Sequence, residues 1–168
     1  ANPDFLDRAQ AIITTVLGSM TTGDRLYIGT KNIIGGLVVD MGATVNAVTA
    51  TLSAEYSSAA GWSTLTIATD GTASAGATLA QDGLITLTVP TDWLSKTLHE
   101  LPVPHPDPTP WPEKLFWQRY AVSATLTAGV ILNLLTPIGR TAPGTDSTTA
   151  RTGGAWLKAT EEYTIDIR

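Results

Sequence analysis

Cysteine is absent from the 168 residues. That removes disulfides, thiolate nucleophiles and cysteine-based zinc sites together, and leaves the redox compartment open. Charge is also scarce: Asp, Glu, Lys and Arg make up 15% of the chain, against roughly 25% in an average soluble domain. The basic residues never cluster, and the formal net charge is −5. A protein that coats DNA or RNA needs a basic stripe to displace counterions, so no nucleic-acid partner is expected. Long apolar runs are missing as well. The longest, residues 121–135, is broken by Ser123, Thr125, Thr127 and Asn133, too short and too polar to span a bilayer, and no membrane partner is expected. The first 30 residues lack the basic-then-apolar pattern of a signal peptide, which reads as an unexported chain. Histidine occurs only at His99 and His105. Neither sits in a ligand pattern, and no third imidazole or thiol completes a site, so no metal and no cofactor are expected.

What remains is apolar and rich in threonine. Hydrophobic residues make up 43% of the chain, too many for a disordered segment, and the length suits one ordinary domain with a real core. Threonine, about one residue in six, is stiff at χ1 and fits a pleated, half-exposed face. From residue 26 onward apolar residues alternate with polar ones. Strands are expected at 26–30, 37–40, 45–56, 62–69, 84–89, 116–126, 130–135 and 162–167. Turn pairs such as Asp70-Gly71, Asp82-Gly83 and Pro143-Gly144 lie between them. The expected fold is all-β, a β-sandwich or jelly roll spanning residues 23–168 as one domain.

Two segments stand apart from this pattern. Residues 1–22 read as an N-terminal amphipathic helix or arm. Asn2-Pro3 starts it, Phe5, Leu6, Ala9, Ile12, Ile13, Val16 and Leu17 recur at helical spacing, and Gly18 stops it. Such a helix either packs on its own domain or docks on a neighbouring subunit. In the second segment, residues 102–112, every second residue is proline: Pro102, Pro104, Pro106, Pro108, Pro110 and Pro112. With half its donors missing and its φ angles constrained, the run joins neither a helix nor a central strand and reads as an extended surface strap. It is either a stiff connection between strands or a docking strap for a neighbour. The residues expected to touch a partner are Phe5, Ile12, Ile13, Val16, Pro104, Pro106, Pro108 and Trp111.

No catalytic constellation emerges. Asp70 and Asp82 each precede glycine, where an aspartate bonds the turn backbone. The other carboxylates nominate no facing pair, and the nucleophile elbow, the phosphate loop and the dinucleotide fingerprint are all absent. Five tryptophans, Trp62, Trp93, Trp111, Trp117 and Trp156, are either core and interface anchors or stacking faces for sugar rings. Trp117 and Arg119 fall on the opposite side of their strand from Phe116 and Tyr120, facing a second sheet or a partner.

Residues 55–126 carry a more specific pattern. Glu55-Tyr56 is followed by Gly61-Trp62, Asp70-Gly71-Thr72, Leu79…Asp82-Gly83, Val89-Pro90…Asp92-Trp93 and Phe116-Trp117-Gln118-Arg119. This stretch resembles virion structural proteins of tailed bacteriophages, and departs from them in the proline run between Trp93 and Trp117. The resemblance implies a β-sandwich module of head decoration, tail and fibre proteins, with no catalytic residues to carry over. The expectation is a non-enzymatic capsid decoration (cement) protein. It would be assembled in the host cytoplasm onto the particle exterior as a homo-oligomer, a trimer by preference, in contact with the major capsid protein or other virion proteins. A tail, fibre or adaptor component, a carbohydrate-binding module and, last, a small hydrolase are the alternatives.

Overall fold

Alternation of inward apolar and outward polar side chains builds the architecture. The computed structural model describes residues 12–18, 20–105, 108, 112–139 and 163–167, with the first and last strands described by their backbone pairing. The strands are β1 (Ile12–Val16), β2 (Leu26–Thr30), β3 (Ile34–Met41), β4 (Leu52–Ser58), β5 (Gly61–Leu65), β6 (Ile67–Asp70), β7 (Gly83–Leu87), β8 (Ser95–Lys96), β9 (Leu115–Val122), β10 (Ile131–Gly139) and β11 (Tyr163–Ile167). Among the described residues the only helical turn is a 3-10 turn at Leu98–Glu100.

The strands form two antiparallel sheets. One runs in the order β1-β10-β3-β7-β6, and the other in the order β11-β2-β9-β4-β5 with β8 beside β9. From β1 to β4 the chain changes sheet at every step, so apart from β4–β5 and β6–β7 the neighbours within a sheet come from distant segments. Leu37 and Val39 of β3, Ile85 and Leu87 of β7, and Leu132 and Leu135 of β10 line one side of the main core. Ile28 of β2, Ala54 and Tyr56 of β4, and Tyr120 and Val122 of β9 line the other. Burying each large aliphatic side chain contributes about 1.5–3 kcal/mol. An apolar cavity of about 20 Å³ remains in this layer, bordered by Met20, Val39, Leu79, Tyr120 and Leu132 among others. Pro137 lies in β10 beyond Leu134, the last described residue paired with β1, where among the described residues β10 pairs with β3 alone and tolerates a missing donor.

Three sequence expectations need correction. Ile12–Val16, expected as helix, is an edge strand paired with Leu134, Leu132 and Ile131 of β10. Its composition, Ile-Ile-Thr-Thr-Val, is β-branched throughout, which weakens helix formation. The open edge of β10 supplies a ladder that no isolated helix offers. Ile12, Ile13 and Val16 therefore do not form a helical stripe. The rest of the expected helix, Phe5 included, lies outside the described residues up to residue 11. The strand expected at 45–56 begins only at Leu52, because Asn46 turns the preceding backbone into a stapled loop. Its Nδ2 donates to the carbonyls of Val48 and Thr78, and its Oδ1 accepts from the backbone N–H groups of Val48 and Thr127. Finally, the strand expected at 62–69 is two strands, β5 and β6. They belong to different sheets and are separated at Thr66.

Candidate functional site

The outer face of the second sheet carries a separate set of side chains. Residues facing away from the main core on β2, β9 and β4 form two cross-strand rows. In one, Tyr27 is opposite Arg119, and Arg119 is opposite Glu55. In the other, Gly29 is opposite Trp117, while Ser57 on β4 is opposite Trp62 on β5. Gly29 is required there: a Cβ would lie 2.8 Å from both Leu115 and the Trp117 ring. Ordinarily such a face meets water. Here the chain covers it with its own segment.

That cover begins at β8. Trp117 Nε1–H donates to the Lys96 carbonyl at 2.9 Å, and Leu98 and Leu101 bury themselves with Leu115 and Trp117 in a second small core bordered by Trp62. The 3-10 turn between them is held by Glu100, whose carboxylate accepts the backbone N–H of Thr97 at 2.7 Å and its hydroxyl at 3.0 Å. These bonds, helped by Lys114, hold the Glu100 carboxyl below its usual range. Lys114 sits 3.5 Å from Glu100 and links the residues before and after the proline run.

The strap, expected to be extended, bends at Val103 and Pro104, with a cis peptide bond between them, as it crosses the two rows. Pro102 lies directly over Gly61, where a Cβ would come within 2.6 Å of the proline ring and where φ is +100°. Only glycine satisfies both conditions. Trp62 Nε1–H donates to the Pro102 carbonyl at 3.0 Å. The Pro104 carbonyl accepts from the Tyr27 hydroxyl at 2.6 Å and from Arg119 Nη1 at 3.2 Å. Arg119 is held from two sides: its Nε donates to Glu55 at 2.7 Å, and its guanidinium lies 4.5 Å above the Trp62 ring. The Tyr27 and Trp62 rings meet at 5.9 Å with a 59° tilt. Burial raises the Tyr27 phenol, and Arg119 opposes that shift. Pro102, Val103 and Pro104 nonetheless stay exposed, Val103 at 78%. The carbonyls of Pro102 and Pro104 turn inward and the Pro102 ring rests on Gly61, while the Val103 side chain faces out.

Of the residues expected to touch a partner, Pro104 is thus placed on the surface with its carbonyl bonded within the chain. Pro108 is half-buried. Pro106 and Trp111 lie outside the described residues. Tyr27, Glu55, Gly61, Trp62 and Arg119 form the seat of the strap, and sequence reasoning did not group them. The outward pairing of Trp117 with Arg119 was the one available signal. It pointed to a second sheet or a partner, whereas the strap of the same chain lies there.

Several other described polar groups are bonded within the chain. Asp70 accepts the Thr72 N–H at 3.0 Å and the Thr78 hydroxyl at 2.6 Å, as its turn position implies. Asp82 reaches past its own turn to the Met41 N–H at 2.7 Å. Asp92 accepts the Tyr56 hydroxyl at 2.6 Å, and this bond raises the Tyr56 phenol. Trp93 is buried with its Nε1–H on the Trp117 carbonyl. Among the described residues no three metal-ligating side chains converge. Chemically, the strap and its seat pair side-chain hydrogen-bond donors with backbone acceptors of the same chain. No family model, no curated protein and no solved structure matches this chain.

Proposed function

We propose that this chain is a non-enzymatic virion structural protein of a tailed bacteriophage, a head decoration protein on the particle exterior. In this reading the two sheets are the layers of a β-sandwich of the jelly-roll kind. Copies join as a homo-oligomer, a trimer by preference, on the major capsid protein. The observation that carries the reading is the strap. Its backbone acceptors are consumed inward by Tyr27, Trp62 and Arg119, so Pro102, Val103 and Pro104 present an apolar ridge to the outside. Exposed apolar ridges of this sort serve contact. Many weak copies of one contact sum by multivalency to hold a lattice. The glycan-binding reading has less support, because Trp93 and Trp117 are buried and Trp62 carries Arg119 on its ring.

The test is rebinding. Purified protein added to stripped, expanded capsids is expected to bind and to raise their disruption temperature. A Val103→Asp variant should bind at least tenfold more weakly while its own melting curve stays in place. Capsids whose disruption temperature does not move would end this reading.

A further inference from the structure

We infer that the outer edge of β5 pairs with the β5 edge of a second copy, antiparallel about a two-fold axis at Thr64, so that the two sheets run on as one. The contact links copies in pairs, and it stands whether or not the chain decorates a capsid.

Three observations carry it. First, β5 ends its sheet, and among the described residues no strand pairs with its far side. An end strand leaves a row of N–H and C=O groups without a ladder, and edges are ordinarily blunted by a charge, a proline or a bulge. The other described edges have such devices. The registers of β1 and β6 are interrupted, at Ile12/Thr15 and Ile67/Thr69. β6 also ends in Asp70, and β11 carries Asp166. In contrast β5 keeps an unbroken register with β4, and residues 56–69 hold neither a charge nor a proline. Second, the edge is complementary to its own image. Turned about Thr64, it sets Thr64 opposite Thr64, Ser63 opposite Leu65 and Trp62 opposite Thr66. Threonine pairs and aromatic–β-branched pairs are favoured cross-strand neighbours. Thr64 is the one exposed residue of β5, and it lies clear of Gly61, where Pro102 rests. That self-match selects a second copy over a foreign strand. Third, the charges permit it. Each copy carries a net −5, so copies repel unless they meet away from carboxylates. The carboxylate beside the seam is Glu55, opposite Thr64 on β4, and Arg119 Nε holds it at 2.7 Å.

One short strand from each copy makes a seam well under a standard interface, so the dimer is weak. Sedimentation velocity of the full chain, loaded from micromolar to millimolar, is expected to show a reversible dimer. Thr64→Lys sets like charges face to face across the axis. It should weaken dimerisation at least tenfold while the far-UV spectrum stays that of the unaltered chain. Val38→Lys makes the same charge change at an exposed position of the other sheet and should leave dimerisation as it was. Because the chain has no cysteine, Thr64→Cys accepts a single spin label. Strands about 5 Å apart bring the two labels close enough to broaden the continuous-wave spectrum, whereas labels at Val38→Cys should stay sharp. A chain that is monomeric throughout overturns the inference. So does a dimer that Thr64→Lys leaves intact, or one whose labels at Thr64→Cys stay sharp. If Thr64→Lys does not fold, the labels decide. A monomeric chain, or an oligomer indifferent to Thr64→Lys, that still binds stripped capsids would end this inference and spare the decoration reading. A dimer broken by Thr64→Lys that never binds capsids would do the reverse.

Discussion

Gln118 and Tyr120, two residues apart on the core side of β9, are both fully buried. The Tyr120 hydroxyl donates to Gln118 Oε1 at 2.6 Å, while no described group accepts from Gln118 Nε2. Removing one partner strands the other, so Tyr120→Phe or Gln118→Leu alone should cost about 1–3 kcal/mol in urea unfolding. The double variant should cost less than the two single losses together, because no orphaned polar group remains. A strictly additive double variant would show that the pair is not coupled. Tyr120 also sets an alkaline limit. Burial pushes its phenol far up, and Tyr27 and Tyr56 are raised too. A phenol whose folded-state pKa exceeds the unfolded value of about 10 keeps its proton after the unfolded chain has lost it. These groups therefore leave stability intact below about pH 10 and erode it as the pH climbs higher. Urea midpoints at pH 8 and pH 10.5 check this, with a shallower loss expected in Tyr120→Phe. Gly29→Ala, with its Cβ forced onto Leu115 and Trp117, should lower stability by about 1–3 kcal/mol through overpacking.

At the scale of elements, β1 and the strap divide the labour of contact. β1 covers one edge of β10, and Leu17, immediately after it, is buried in the main core. Leu17→Ala should cost about 2–5 kcal/mol in urea unfolding. An unchanged urea midpoint would mean that the residue after β1 contributes nothing to the core. The strap shows the opposite balance. Val103→Asp, at an exposed position away from any bond, should change stability by no more than about 0.5 kcal/mol. By contrast Trp117→Ala, which removes the floor of the second core and its bond to Lys96, should cost about 3–5 kcal/mol.

For the whole molecule, two sheets assembled from distant segments share a core that is nearly full. The cavity of about 20 Å³ has room for one water, but its lining is apolar and offers no hydrogen-bond partner, so it stays dry. Val39→Ile, which adds a methylene beside it, is expected to gain about 0.5 kcal/mol by the usual cavity slope. A loss of stability would mean that the gap cannot accept the added carbon without strain. Because most strand pairing, apart from the β4–β5 and β6–β7 neighbours, joins distant segments, refolding should take milliseconds to seconds, slower than a helical chain of this size.

Period-two alternation was legible in the residues themselves. Ile85, Leu87, Phe116, Gln118, Tyr120 and Val122 take the faces their spacing assigns, and β2 has the bounds expected of it, because pleating is a local property of the backbone. The turn role of Asp70 was legible for the same reason. The state of Ile12–Val16 was not, since its residues suit a helical stripe and a strand alike until the open edge of β10 decides between them. Nor was the division at Thr66, where a continuous run of strand-forming residues passes from one sheet to the other. Least legible was the strap's seat, because Tyr27, Glu55, Gly61, Trp62 and Arg119 become neighbours only through strand register. The chain's composition and alternation determined that it would be β. Pairing between remote segments decided what each outward face would meet, since a face finds its neighbour only once the sheets exist.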